Sequence, residues 1–387
     1  MSLACMGRQS EAIQLLAEFT ARQAAHPGAG LARGYFARSL LLWHMGSLEL
    51  CTQTSQAMLH LAIDHDLPMT RGWAELMLGD LAFERGQLTE AAEHYHRAIA
   101  RAHDLHALCV REAYIGQILV YQLQGQPDKA DGALYRYRAL AHEAAYPEPL
   151  DFVDSLRAQL SLMRGNAEAG VAWALLPTPG AADPVIWTQL HPLVIRATIL
   201  IAAGYLDVAE PLIQRYLERV RATNYKMGEM HGLIVSTLLH EARGETTQAE
   251  DALREAIQIG APEEIVQRFL LLGDALVPVL RRLQADLPLW RFAQRLLQVI
   301  RRSRSAQSST SNEESRPAAR AALTSRDHDI LRCLERRMTN NEIGEALFIT
   351  PKTAKNYVLR ICTKLGVSNR YDAVSQARLL GFVDVDA

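Results

Sequence analysis

From Thr350 to Arg370 the chain carries five cations, Lys352, Lys355, Arg360, Lys364 and Arg370, and no acid. Such a run can neutralise phosphates and release counterions, the largest sequence-independent contribution to DNA affinity. The positions around it show how it would be held. Thr324 with Asp327, Thr339 with Glu342, and Asn369 with Asp372 each place a capping oxygen three residues ahead of a carboxylate, and Thr350 precedes Pro351 at a first helical position. Helix starts also favour phosphate through their free N–H groups and positive dipole end. Four starts therefore fall within residues 322–387. Ile330, Leu331 and Leu334, then Ile343 and Leu347, then Val358, Ile361 and Leu365 recur at helical spacing and can converge on one small core. Phe348-Ile349-Thr350-Pro351 supplies the turn between the second and third helices. Glu342 to Arg360 thus predicts helix, short turn, second helix, the arrangement that lays its second helix in a major groove.

These residues resemble the LuxR-type helix-turn-helix family, whose pattern runs LT-x-RE, SN-x-EIA, S-x-x-TVK-x-H and KL-x-V-x-x-R. The chain meets it at Leu323-Thr324, Arg326-Asp327, Thr339-Asn340, Glu342-Ile343-Gly344, Thr350, Thr353-Ala354-Lys355, Tyr357, Lys364-Leu365, Val367 and Arg370. Departures are Arg337 for a helix-ending Gly, which costs about 1 kcal/mol if left-handed, Gly344 for Ala, Ala354 for Val, and Tyr357 for His. The resemblance implies a recognition helix bearing Lys352, Thr353, Lys355, Asn356 and Arg360, with Lys355 and Asn356 reading bases. It implies phosphate contacts from Thr339, Asn340, Lys364 and Arg370. It further implies that the last helix, with Ala373, Val374, Ala377 and Leu380 on one stripe, pairs two copies on half-sites related by two-fold symmetry.

The rest of the chain is of another kind. Of 387 residues with formal net charge −2, those from 276 onward hold 19 Lys/Arg against 11 Asp/Glu, and those before hold 22 against 32. The near-neutral total hides a basic tail and an acidic body, and an acidic body is poorly suited to wrapping nucleic acid. Within it Gly7, Gly46, Gly86, Gly125, Gly165, Gly204 and Gly244 recur at alternating steps of 39 and 40. Five positions after each stands a small residue: Ala12, Cys51, Ala91, Ala130, Gly170, Ala209 and Ala249. Four further on there is usually a bulky apolar one, as at Leu16, Tyr95, Leu134, Ile213 and Leu253. A turn glycine, a small residue for close approach and a large one to fill the gap describe stacked helix pairs.

The third unit, with Leu78, Gly79, Gly86, Ala91, Tyr95 and Ala98, is nearly the tetratricopeptide pattern, although the period exceeds that family's 34 residues. The whole block with Arg268-Phe269 and Gly273 is similar to the helical-repeat segment of MalT-like regulators, which also end in a LuxR-type domain. Those regulators carry an ATP-binding domain upstream. The sequence contains no G-x-x-x-x-G-K-[ST], so nucleotide control is not expected of this chain. Gly7 lies too near Met1 for a full helix to precede it, so we expect either a short-form regulator or the C-terminal portion of a larger one.

Ser303, Ser305, Ser308, Ser309 and Ser311 make residues 303–321 read as a flexible linker. Ahead of it Arg281, Arg282, Arg291, Arg295, Arg301 and Arg302 alternate with Leu280, Leu283, Leu289, Trp290, Leu296 and Leu297, which predicts an amphipathic pair capping the solenoid in preference to extra phosphate contacts. No secretory start opens the chain, and its most apolar stretch, Leu193 to Leu206, holds Arg196 and falls short of the roughly 20 residues a bilayer span needs. Cytoplasmic location without membrane contact is expected. The five scattered cysteines form no C-x-x-C and read as reduced thiols. His94 with His96 and His103 with His106 lack the further ligands a metal needs, and Glu148 and Asp151 have nothing beside them to raise a pKa. We therefore expect no catalytic residues, no cofactor and no metal.

The fold expected is all-α: a superhelical solenoid of about 40-residue, tetratricopeptide-like helix pairs over residues 1–302, the linker at 303–321, and a small four-helix LuxR-type domain at 322–387. In stacked pairs the first helices line a concave wall, where such proteins bind peptides, partners or small ligands. Counting back from the turn glycines puts Trp43, Trp73, Asp80, Glu112, Gln122, Gln159, His191 and His231 on that wall, beside Phe36, Phe83, Phe152 and Glu241, although the phenylalanines suit packing between helices equally well. The leading reading is a transcription regulator that binds promoter double-stranded DNA as a homodimer, senses a small-molecule or protein effector through the repeats, and has RNA polymerase as a further partner. The alternative is an interaction scaffold with weak or incidental DNA binding.

Overall fold

In a computed structural model the described residues are 8–143, 147–177, 189–283, 287–314, 325–336, 338–347, 350–365, 370 and 373–374. They fall into two compact units, Met1–Ile300 and Arg301–Ala387. Among the described residues all regular structure is helical.

The first unit begins with α1 (Gln9–Gln23), α2 (Ala29–His44), α3 (Leu48–Asp64), α4 (Pro68–Glu84), α5 (Leu88–Ile99), α6 (Ala107–Leu123) and α7 (Pro127–Glu143). It continues through α8 (Pro147–Met163), α9 (Glu168–Ala174), α10 (Pro192–Ala202), α11 (Leu206–Ala222), α12 (Lys226–Ala242) and α13 (Thr246–Gly260). The glycines predicted as turns fall between α2 and α3, α4 and α5, and so on to α12 and α13. Each has a left-handed φ, from 70° at Gly125 to 84° at Gly204, which a side chain would resist. At Gly86 the reason is visible: its N–H donates to the Phe83 carbonyl at 2.8 Å and that of Gln87 to Ala82 at 2.9 Å, satisfying carbonyls the helix end leaves open. Gly7 lies outside the described residues.

The small positions do what their spacing predicts. Cys51, Ala91, Ala130, Ala209 and Ala249 are fully buried, so neighbouring helix axes can approach closely. Tyr95 fills the gap this opens, and a Cβ added at Gly116 would lie 2.2 Å from its ring.

Inner and outer helices differ in kind. On α5 only Ala91, Tyr95 and Ala98 are buried, a single stripe. On α4 every residue from Gly72 to Glu84 is buried, and on α12 every residue from Met227 to Val235. A helix covered all round belongs to an interior, and here the solenoid winds until it meets itself. The Val266 N–H donates to the Glu84 carbonyl at 3.0 Å, the Glu49 N–H to Glu263 Oε2 at 3.0 Å, and the Trp43 and Tyr225 rings lie 6.1 Å apart.

Helices α14 (Gln267–Leu270), α15 (Gly273–Arg282) and α16 (Leu287–Glu314) follow. Leu280, Leu283, Leu296 and Leu297 are buried, while the arginines between them are exposed. Arg282 binds Glu241 and Glu250, and Arg295 binds Glu264, so these two cations have partners within the body. Helix α16 does not stop at residue 302. It continues to Glu314 across part of the segment read as flexible linker, because no Gly or Pro occurs from Leu289 to Arg316 and the interposed Ala, Arg and Gln are good helix formers. Residues 315–324 lie outside the description. Cys51, Cys109, Cys333 and Cys362 are buried. No described helix is long and apolar enough to cross a membrane.

Candidate nucleic-acid interface

The second unit contains α17 (Ser325–Glu335), α18 (Asn340–Leu347) and α19 (Pro351–Leu365). Their core is the one the apolar spacing predicts: Ile330, Leu331, Leu334, Ile343, Val358 and Ile361 are buried together, joined by Cys333, Ala354 and Cys362. Of the fourth helix, Arg370 and Ala373–Val374 are described and helical. Thr324, Arg337, Phe348, Ile349, Val367, Asn369, Asp372, Ala377 and Leu380 lie outside the described residues, as do the side chains of Arg326, Lys352, Lys364 and Leu365.

Two of the predicted caps are formed. Thr339 N–H donates to Glu342 Oε2 at 2.6 Å, and Glu342 N–H donates back to Thr339 Oγ1 at 3.4 Å. The backbone donor at Thr339, helped by its hydroxyl, holds the Glu342 carboxyl below its ordinary pKa. At α19 the Thr353 N–H donates to Thr350 Oγ1 at 3.1 Å, and the two hydroxyls are 2.8 Å apart. Capping fixes where α19 starts and hence which side chains its first turns present. Lys355 and Asn356 are exposed there, Thr353 is half-buried, Thr339 is exposed and Asn340 half-buried.

Two of the expected DNA-contacting arginines have work inside the module. Arg360 Nη2 lies 2.5 Å from Oδ1 of the fully buried Asp327, and its guanidinium stacks 4.4 Å from the Tyr357 ring centre. Arg370 Nη2 donates to the Met338 carbonyl at 2.5 Å. Arg360 was expected on the DNA-facing recognition helix and Arg370 at a phosphate; the structure ties α19 to α17 through the first and the fourth helix to the start of α18 through the second. Of the expected dimer stripe, Ala373 is fully buried in the module's own core and Val374 packs against that core.

Most of the residues expected along the body's concave wall are interior instead of solvent-facing, since the solenoid closes over them. Trp43, Asp80 and Glu112 are fully buried, and Trp73, Gln159, His191 and His231 nearly so. Trp73 stacks on Phe36 at 4.8 Å. Gln122, half-buried, accepts from Arg164 at 2.9 Å. His191 caps α10 by accepting the Leu193 N–H at 3.2 Å and lies 5.0 Å from the Tyr216 ring. Burial lowers the His191 pKa to about 4, and holds that of His231 well below the usual imidazole range with help from Arg268 and His191. Burial also drives the Asp80 carboxyl well above the carboxylate range, with the Glu112 charge adding to it.

Asp80 and Glu112 of the predicted set are drawn to one place, and Gln189 joins them. Its N–H donates to Glu112 Oε2 at 2.9 Å, and its side-chain amide donates to Asp80 Oδ1 and, at 2.5 Å, to Tyr95 Oη. Arg268, Glu84 and Arg111 complete this buried polar cluster, and the concave-wall count from turn glycines passed over them. The signal was present: charged residues in helices otherwise apolar on every side must be paired or neutral.

Comparison with known proteins accords with the geometry. The family described as the MalT-like TPR region matches residues 4–286, most of the chain. The chain belongs to the MalT-like family. Its C-terminal part, residues 321–377, matches the bacterial regulatory proteins of the luxR family. Among curated relatives, this MalT-like chain is similar to "HTH-type transcriptional regulator MalT" of Yersinia pestis (strain Pestoides F), 24% identical over 277 residues, 66% of this chain and 30% of the relative. The protein so named in Serratia proteamaculans (strain 568) is 24% identical over 275 residues with the same coverage. The match therefore spans about a third of the relatives' length.

Proposed function

We propose that this chain is a DNA-binding transcription regulator whose helix-turn-helix, α18 and α19, reads promoter DNA while the repeat body receives the controlling signal. The observation that carries the reading is the capped start of α19, which leaves Lys355 and Asn356 exposed on a helix whose sequence contains cations and no acids. Lys355 and Asn356 are the base readers, Lys352, Lys364, Thr339 and Asn340 the candidates for backbone contact, and Thr353 serves both the cap and the interface. The relatives' printed name, a helix-turn-helix transcriptional regulator, supports the assignment. We place the protein in the cytoplasm, acting on paired half-sites as a dimer and through RNA polymerase, with an effector on the body.

Gel retardation with promoter fragments tests this. Affinity should fall steeply between about 50 and 200 mM salt, with a slope of about 0.9 per phosphate neutralised, and Lys355→Ala should weaken it. Genome-wide enrichment with the intact chain against one lacking residues 322–387 gives the second arm. Equal patterns from both, or weak and uniform DNA binding beside tight capture of a protein, would replace the regulator reading with that of a scaffold.

A further inference from the structure

Gln189, Leu190 and His191 form a short non-helical run inside the closed solenoid. At Gln189 the backbone N–H, the backbone carbonyl and the side-chain NH2 are all engaged. Its backbone N–H goes to the Glu112 carboxylate on α6, its carbonyl accepts from Arg268 on α14, and its primary amide donates to Asp80 on α4 and Tyr95 on α5. The receiving groups are themselves braced. Tyr95 Oη donates to Asp80 Oδ1 at 2.9 Å, Arg111 Nε to Glu112 Oε1 at 2.8 Å, and Arg268 Nε to Glu84 Oε1 at 2.8 Å. Four elements, each supplying a partner at least 77 residues away in sequence, thus converge on one residue of a connecting segment.

A solvent-facing loop residue needs no such reception, because water satisfies its backbone groups, whereas Gln189 is 1% exposed. A carboxylate for the N–H, a guanidinium for the C=O and an acceptor for the side chain are what recognition of an extended peptide requires. The cluster also retains capacity. Asp80 Oδ2, Arg111 Nη2 and Gln189 Oε1 are buried without a hydrogen-bond partner among the described residues.

We propose that the interior of the solenoid is a peptide-binding site that reads an extended segment bearing a primary amide, and that Gln189 fills it in cis. The partner in trans is an extended peptide of the chemistry Gln189 presents: a glutamine flanked by free backbone N–H and C=O, entering where this chain's own segment withdraws. Tethering gives the cis segment a high effective concentration, so a competitor must overcome it before it binds. The inference rests on the reading of the body as the signal-receiving part. Its test contains no DNA, so its failure leaves the DNA reading intact.

The probe is a fluorescent, terminally blocked peptide with this chain's sequence from 188 to 192, Thr-Gln-Leu-His-Pro, added to the full chain and followed by anisotropy. Gln189→Ala should bind it at least tenfold more tightly than the unaltered chain does. A peptide with Ala in place of its Gln should show at least a tenfold loss on the same variant. Asp80→Ala combined with Gln189→Ala should lose the preference between the two peptides. Where thermal melting shows Gln189→Ala to be unfolded, Gln189→Asn, which keeps the amide but draws it back by one methylene, takes its place with the same two peptides. No binding to a folded variant, or equal binding of the two peptides, overturns the proposal.

Discussion

Arg268 and Glu84, 184 residues apart in sequence, form a buried pair in which Nη2 lies 2.5 Å and Nε 2.8 Å from the same carboxylate oxygen. Their side chains are 3% and 0% exposed, so neither charge has water to fall back on. Removing one partner leaves the other unpaired, which typically costs about 3–5 kcal/mol. Arg268→Ala should therefore lower the urea midpoint sharply without changing helix content in the folded baseline. Replacing both residues by hydrophobic groups of similar volume should recover most of the loss.

His191 and His231 make stability depend on pH. Both are held neutral by burial, and the folded pKa of His191 is about 4 against 6.5 for the free imidazole. Below 6.5 the unfolded chain takes up protons that the folded chain refuses, so this stabilisation is complete above pH 6.5 and is lost as pH falls towards 4. The slope is about 1.4 kcal/mol per pH unit for each imidazole. Asp80 and Glu84, whose carboxyls burial holds high, titrate with the opposite sign. His191→Asn keeps a capping acceptor for α10 and should flatten the curve between pH 6.5 and 4 relative to the unaltered chain, as measured by denaturant unfolding at stepped pH.

Two glycine substitutions separate backbone strain from crowding. Gly125 has φ 70° with nothing within 4 Å of a Cβ added there, so Gly125→Ala should cost only about 1 kcal/mol. Gly116 is an ordinary helical glycine pressed against Tyr95, and Gly116→Ala should cost several times more. Thermal melts that rank them the other way would refute the account of helix pairing given above.

Within the DNA-binding module, Arg360→Ala should act first on folding, since it removes the cation 2.5 Å from the buried Asp327 carboxylate. A lower melting temperature of residues 322–387, tracked within the full chain by hydrogen exchange, would show this. Thr339→Ala should be milder, about 1 kcal/mol for a lost cap. An Arg360→Ala chain that melts normally but loses salt-dependent affinity would restore Arg360 to the interface.

Lys355→Ala and Asn356→Ala should leave the melt unchanged and differ in what they do to binding. A base-reading amide lost at Asn356 should reduce discrimination between the preferred site and its single-base variants by about 1–3 kcal/mol. Competition retardation with such variants measures it.

Periodicity made the scaffold legible: the glycine register locates six described turns, and the capping residues Thr339 and Thr350 mark two helix starts in the sequence itself. What it could not carry was the winding. Spacing within a pair is a local property, whereas the burial of Asp80, Glu112 and His191 depends on residues 84 and 268 meeting, and local sequence does not encode that distance. The same limit explains Arg360 and Arg370. Their charge and position suit a phosphate, and only the placement of Asp327 and of the Met338 carbonyl shows that another partner was nearer. At 303–314 the serines suggest a linker, whereas the helix runs on to Glu314 because no residue there breaks it.

Open superhelices tolerate the gain or loss of whole units during evolution, since each touches only its neighbours. A body that grips its own beginning has no such latitude. One further unit between α6 and α12 would carry Arg268 some 40 residues further along the winding and away from Glu84. Copy number is thereby set by geometry, and natural variation in length among proteins built this way should gather at the outer turns and the two ends.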